Sequence, residues 1–284
     1  MKRPQEIAKD EQAMASIVQL TSIFEGLASM HISQIKNQVQ HAQDFFETLW
    51  HIYTQIRVDR QFRFGRGESG GKIIDKDLLI IITAEGGFSG DIDQKLISLM
   101  LENYDPAKNE IIVIGHHGAV QLVQRGISFA KYFKLPEKDQ NINTEPLIKE
   151  VQRYKSTTVY YQAYVSLTIQ DVKRIELSKA VQEQGKNARN DQEIISEDTY
   201  IFEPSTFAVV DHLERSMLQI ALSQVILESK LAQYASRFQA MSAAHSKASK
   251  THGDLRTSYN HANRAIKDER LKEIINGLRK VRTI

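Results

Sequence analysis

Apolar positions along the chain follow three regimes. In the first, Ile35, Val39, Ala42, Phe46, Leu49, Tyr53 and Ile56 step by four and three, and Ile17, Leu20, Phe24 and Leu27 do the same upstream. This spacing keeps side chains on one face of a 3.6-residue helix. It predicts one helix from about residue 5 to 58, interrupted at most at Gly26 and stopped by the glycine-rich stretch Phe62–Gly71. The third regime is more regular. From Val210 through Leu213, Met217, Ile220, Gln224, Leu227, Leu231, Tyr234, Phe238, Met241, His245, Ala248, His252, Leu255, Tyr259 and Ala262 to Ile266, steps of three and four alternate throughout. That is a sustained heptad seam. Ser205 after Pro204 is placed to cap the start, and a helix running to about residue 280 would be roughly 110 Å long at 1.5 Å per residue.

The five prolines, Pro4, Pro106, Pro136, Pro146 and Pro204, leave both helical zones uninterrupted. A seam in a short helix is ordinary core; one this long needs a partner of similar length, and the first-zone helix is the candidate. The two are expected to pair as an antiparallel coiled coil, with seam residues Leu213, Met217, Ile220, Leu227, Leu231, Phe238 and Met241. The polar seam members Gln224, His245 and His252 read as register devices or partner contacts.

The middle regime alternates short apolar runs with helical patterns. Leu78–Thr83, Ile111–Ile114, Thr158–Ile169 and Asp171–Glu176 read as strands, and Gly90–Glu102, Ala119–Tyr132 and Glu145–Tyr154 as helices. Strand–helix alternation implies a partly parallel sheet. The polar stretch Gln182–Asp198 reads as a loop. The expected fold class is therefore α/β plus a long antiparallel coiled coil. A helix over 1–60 and a helix over 204–284 pair, and a small Rossmann-like α/β domain over 73–203 is inserted between them.

Composition adds limits. The apolar share of 41% and charged share of 25% fit a globular protein, and a net charge of +2 gives no reason to expect a nucleic-acid partner. With no cysteine there is no disulfide, thiolate ligand or cysteine nucleophile. The longest uninterrupted apolar run, Leu78–Ile82, is far too short to cross a bilayer, so no direct membrane insertion is expected.

The stretch Glu85-Gly-Gly-Phe-Ser-Gly90 follows a strand and precedes a helix, as phosphate loops do. It lacks the lysine of a P-loop and the glycine spacing of a dinucleotide loop, and Glu85 and Asp91 flank it with negative charge. Gly86, Gly87 and Gly90 are read as structural turn residues, and no nucleotide, metal or other cofactor is expected. His116-His117 has no nucleophile or ligand cluster near it in sequence and reads as surface. No residue is assigned a catalytic role.

The organisation and several motifs resemble the gamma subunit of F-type ATP synthases, the central rotor stalk. Tyr200-Ile-Phe-Glu-Pro-Ser205 resembles that family's "YIYEPS". Leu227-Glu-Ser-Lys230 matches its "LESK", and Ala235-Ser-Arg-Phe-Gln-Ala-Met241 resembles "AARMMAMK". Tyr259-Asn260, Glu273-Ile-Ile-Asn-Gly277, Ile82–Gly90 and Val159–Val165 resemble further family stretches. The chain departs from the family in three places, one being Ser89 where the family's glycine loop has a cysteine. The basic residues of the family's first helix are mostly missing from Gln19–Lys36, and its "RQ" pair is Asn263-Arg264 here. The resemblance is thus to a divergent or alternate-type member.

The resemblance implies a non-catalytic subunit. It would couple ion flow through a membrane ring of c-type subunits to conformational change in a hexamer of alpha and beta subunits, beside an epsilon-type subunit, on the cytoplasmic face of a bacterial membrane. The alternative is a gamma-like coiled-coil subunit of a specialised rotary or motor complex that does not synthesise ATP. The residues expected to meet the catalytic head, as bearing and torque contacts, are Ile17, Leu20, Phe24, Asn263, Arg264, Lys267, Arg270, Ile274 and Leu278. From Arg264 on, basic residues outnumber acidic ones, and the tip residues Ile274, Ile275, Gly277, Leu278, Val281 and Ile284 are small or apolar.

Overall fold

Two long terminal helices precede and follow a five-stranded sheet in the sequence. The computed structural model describes residues 3–56, 73–137, 142–186 and 201–281. The elements in chain order are α1 (Pro4–Gln55), β1 (Ile74–Ile82), α2 (Ile92–Leu101), β2 (Asn109–Ile114), α3 (His116–Gln124), β3 (Lys131–Phe133), α4 (Glu145–Val151), β4 (Tyr154–Tyr164), β5 (Gln170–Glu176), α5 (Leu177–Lys186) and α6 (Thr206–Val281). Helix α1 has 52 residues and α6 has 76. The Ser205 hydroxyl accepts the Ala208 amide at 3.3 Å and caps α6 as expected. Phe62–Gly71, Tyr200 and most of Gln182–Asp198 lie outside the described residues.

Gly26 does not interrupt α1. It sits mid-helix, exposed, with open space where a Cβ would be. Gly26→Ala should therefore raise stability by about 0.5–1 kcal/mol through lower unfolded-state entropy, which a denaturation midpoint of the purified chain would record.

By contacts the chain forms two compact units, one of Ala28–Arg237 and one of Met1–Leu27 with Phe238–Ile284. In the first, the sheet unit, the strand order is β3-β2-β1-β4-β5. Strands β1–β4 are parallel to their neighbours, and β5 runs antiparallel along β4. Leu78–Ile82 is buried throughout because both faces of the sheet are covered. Leu78, Ile80 and Ile82 pack with Ile112, Ile114, Val159, Tyr161 and the helices α4–α6. Leu79 and Ile81 pack on the other face with Leu96, Ile97, Met100 and Leu122 of α2 and α3.

Three middle-zone expectations need correction. The helix expected over Ala119–Tyr132 is α3, which begins three residues earlier and ends at Gln124. Gly126 takes a left-handed φ of +71° there, and the Ile127 amide bonds back to the Leu122 carbonyl. Lys131–Phe133 is then a strand beside β2. The strand expected over Thr158–Ile169 ends at Tyr164, because Val165 and Ser166 both bond to the Ile169 carbonyl and close a turn into β5. The start of the expected loop Gln182–Asp198 is helical, as α5 runs to Lys186.

The heptad seam also understates α6. Leu213, Met217, Leu227, Leu231 and Met241 are buried, while Ile220 and Phe238 are half-buried. In the sheet unit, off-seam residues Leu218, Ala221, Leu222, Val225 and Ile226 are buried too, in one cluster with Phe46 of α1. The helix is covered by sheet as well as by α1, so its apolar surface exceeds one stripe. His31 of α1 stacks on Tyr234 at 4.5 Å, and the Tyr53 hydroxyl donates to Glu214 at 3.1 Å.

In the second, helical unit, α1 and α6 again run antiparallel. His245 Nδ1 lies 3.2 Å from the Val18 carbonyl and 3.3 Å from the Thr21 hydroxyl, and His252 Nε2 lies 3.3 Å from Glu11. The two seam histidines therefore make polar contacts to α1.

Candidate functional site

Three surfaces bear on function: the exposed stripe of α1, the free end of α6, and the glycine turn. The stripe is a finding of orientation. The face of α1 turned inward in the helical unit carries Ile7, Val18 and Thr21, whereas Ile17, Leu20, Ile23, Phe24 and Leu27 are 37–58% exposed. The upstream steps of three and four therefore mark an outward apolar face. Among the described residues α1 is also the one helix with a window long and apolar enough, by length and composition alone, to cross a membrane, and only 11% of that window is buried.

At the other end, counting back seven residues from Glu11 reaches Pro4, where α1 starts, and counting on seven from His252 reaches Tyr259. Past that point the described part of α1 has ended. Asn263 is half-buried, and every residue from Arg264 to Leu278 is exposed. Arg264, Lys267, Leu271, Ile274 and Leu278 step by three and four, so one stripe is basic at its start and apolar toward its end. Arg270 lies one residue to the side and is also exposed.

The glycine turn meets α6 through its carbonyls. The carbonyls of Gly87 and Gly86 accept the Arg237 guanidinium of α6 at 3.1 and 3.4 Å, and the Ser89 carbonyl accepts the Ser236 hydroxyl at 2.6 Å. Burial lowers the Arg237 pKa from its ordinary value, opposed by Tyr234 and Asp93, and its guanidinium lies over the Tyr234 ring at 5.2 Å. Of the three glycines assigned to the turn, Gly90 alone has a left-handed φ, +69°. A Cβ on Gly86 or Gly87 would meet nothing closer than 3.9 Å.

Behind the turn is a buried polar network. Asp93, in the first turn of α2, accepts Gln162 Nε2 at 2.6 Å and the Ala84 amide at 3.3 Å, and its second oxygen lies 3.2 Å from His117 Nδ1. Gln162 in turn accepts Ser229 Oγ and Gln233 Nε2 of α6. Burial raises the Asp93 pKa above its ordinary value, against the lowering effect of those bonds. His117 is thus no free surface residue: its side chain is about one-third exposed and is held on a buried carboxylate. Sequence spacing did not reveal this pair, because Asp93 and His117 lie 24 residues apart on separate helices. Among the described residues no group of three His, Asp or Glu is arranged to hold a metal.

A family model described as ATP synthase matches residues 4–280. The chain belongs to the ATP synthase family. The ATP synthase gamma chain of Chlorobium phaeobacteroides is 23% identical over 284 residues, 94% of each chain. That of Halothermothrix orenii is 21% identical over 289 residues, 98% of each. Among solved structures, the rotor of Euglena gracilis mitochondrial ATP synthase aligns with a TM-score of 0.61 at 12% identity, covering 93% of this chain and 98% of its own. The central stalk of Tetrahymena thermophila ATP synthase gives 0.54 at 14%, covering 79% and 99%. The long terminal helices and central mixed sheet are thus the fold of ATP synthase rotor chains. Within this family chain, the motifs Leu227–Lys230 and Ala235–Met241 have a physical role: Ser229, Ser236 and Arg237 bond to the sheet unit, and Lys230 Nζ donates to the Pro136 carbonyl at 2.8 Å.

Proposed function

We propose that the chain is the central-stalk rotor subunit of an F-type ATP synthase or ATPase, working as a shaft inside a hexamer of alpha and beta subunits. The observation that carries this reading, beside the family match, is the exposed end of α6. From Arg264 to Leu278 it is an exposed helix with a basic-then-apolar stripe, a surface that a surrounding collar would cover. Family relatives are named gamma chains of ATP synthase.

On this reading the α1 and α6 contacts belong to one antiparallel coiled coil that stiffens the shaft, and the sheet forms a Rossmann-like insert. The functional divisions are the helix over 1–60, the α/β domain over 73–203 and the helix over 204–284. Ile17, Leu20 and Phe24 on α1, with Asn263, Arg264, Lys267, Arg270, Ile274 and Leu278 on α6, meet the head. An asymmetric shaft makes the catalytic sites differ, because each subunit's conformation is selected by the face it meets. The sheet unit lies toward an epsilon-type subunit and the c-type ring, on the cytoplasmic face of a bacterial membrane, and reaches the membrane through that ring. Catalysis belongs to the hexamer.

The test is charge reversal at the start of the stripe. Arg264→Glu, Lys267→Glu and Arg270→Glu together should reduce copurification with alpha and beta subunits, or coupled ATPase activity, by about tenfold or more, since like charges at an interface cost several kcal/mol. Unchanged assembly and coupled activity would contradict the assigned contacts.

A further inference from the structure

The side of α6 that faces the glycine turn is polar although it is largely buried. Ser229, Lys230, Gln233, Ser236 and Arg237 recur at i, i+1, i+4, i+7 and i+8, one face of the helix over its last two turns in the sheet unit. Ser229, Lys230 and Gln233 are at most 3% exposed. Each of the five has a partner in the sheet unit. Ser229 Oγ and Gln233 Nε2 donate to Gln162 Oε1, the latter at 3.1 Å, and Lys230 to the Pro136 carbonyl at 2.8 Å. Ser236 donates to the Ser89 carbonyl at 2.6 Å, and Arg237 to Gly87 and Gly86 at 3.1 and 3.4 Å. Asp93 takes Gln162 Nε2, which turns the Gln162 carbonyl toward α6.

A buried polar face of this kind is seldom the most stabilising choice, since well-packed apolar residues do as well or better. What it adds is direction. Apolar contact is non-directional, whereas a hydrogen bond weakens steeply once its angle falls below about 120°. The bonds of Ser236 and Arg237 sit at one place in the chain: Arg237 is the last residue of the sheet unit, and α6 continues past it as unbroken helix. A twisting load along α6 reaches the sheet unit first at these two residues.

We propose that Ser236 and Arg237, seated on the carbonyls of the Gly86–Ser89 turn and backed by the Gln162–Asp93 network, are the joint through which torque passes between α6 and the α/β domain. This rests on the rotor reading. In that role they are positioning residues: they touch neither nucleotide nor ion, and they keep the helix from turning against the sheet.

The experiment uses the full chain assembled with alpha and beta subunits. Because the chain has no cysteine, Lys108→Cys on the exposed loop before β2 gives one thiol for a probe. ATP hydrolysis without a probe and rotation under increasing viscous drag are measured for the parent, for Ser236→Ala, for Arg237→Lys, and for Ser236→Ala with Arg237→Gln. The double variant is expected to hydrolyse ATP and turn a small probe like the parent, yet to slow several-fold more than the parent at high drag. Arg237→Lys, which keeps the charge but not the two-carbonyl geometry, falls between. Identical drag dependence in all four would overturn the joint. Should the double variant fail to assemble, Ser236→Ala, which removes one hydrogen bond, decides: parent-like drag dependence overturns the proposal, and slowing confined to high drag supports it. A parent complex that turns no probe at any drag instead overturns the rotor reading.

Discussion

Among the described glycines, Gly115→Ala should destabilise the sheet unit most, by about 4 kcal/mol or more. Gly115 joins β2 to α3 with a φ of +100°, a region costly for any L-residue. An added Cβ would lie 2.1 Å from the Thr83 carbonyl oxygen, a backbone atom that has no room to give. Thr83 anchors the crossing: its amide donates to the Ile114 carbonyl at 2.8 Å, and its hydroxyl reaches the Ile114 and Gly115 carbonyls and accepts the Gly118 amide at 2.9 Å. Displacing it disturbs β1, β2 and α3 together. Against a total stability of about 5–15 kcal/mol, such a loss removes a large share of the margin. Gly86→Ala, whose Cβ would meet nothing closer than 3.9 Å, should shift stability by no more than about 0.5 kcal/mol. Paired urea denaturation curves would check both, and a similar cost for the two would refute the steric account.

Asp93→Ala carries the second large effect, a loss of about 2–4 kcal/mol. It leaves the Ala84 amide and Gln162 Nε2 without their acceptor in a buried site. Asp93→Asn separates charge from shape. Burial raises the folded pKa of Asp93 above the ordinary 3.8, so the folded state holds this proton more tightly than the unfolded chain does. The stability linked to it is fully present below the unfolded value and is lost as pH rises through the raised folded value. The asparagine variant does not titrate there. Its stability relative to the parent should therefore improve as pH climbs from below 3.8 through that window. A difference independent of pH would show that Asp93 ionises without cost.

Much of the architecture is legible in periodicity. The long helices, the glycine turn as a structural element and the cap at Ser205 follow from spacing and local chemistry, because helices and caps are set by residues close in sequence. Less legible is which face of a helix meets what. Ile17, Leu20 and Phe24 step as regularly as Ile35 and Phe46, yet the former face outward and Phe46 is fully buried. Spacing alone does not tell a buried stripe from an exposed one. The glycine reading shows the same limit. The run Gly86-Gly87 drew attention, but the backbone depends more on Gly115, whose need arises from a crossing with Thr83 over 30 residues away. Likewise Asp93, His117, Gln162 and Arg237 come together only through the fold. Their trace in the sequence is that Gln162, Ser229, Ser236 and Arg237 fall inside stretches that resemble the family.

The central claim is that this chain turns as a shaft. The most direct measurement is to coexpress it, carrying Lys108→Cys as the probe site, with alpha and beta subunits from the same genome, and to watch the probe while ATP is hydrolysed. The account predicts an assembled complex whose probe rotates in discrete steps in one direction. An assembled complex that hydrolyses ATP while the probe stays still, or a chain that joins no catalytic hexamer, would contradict it.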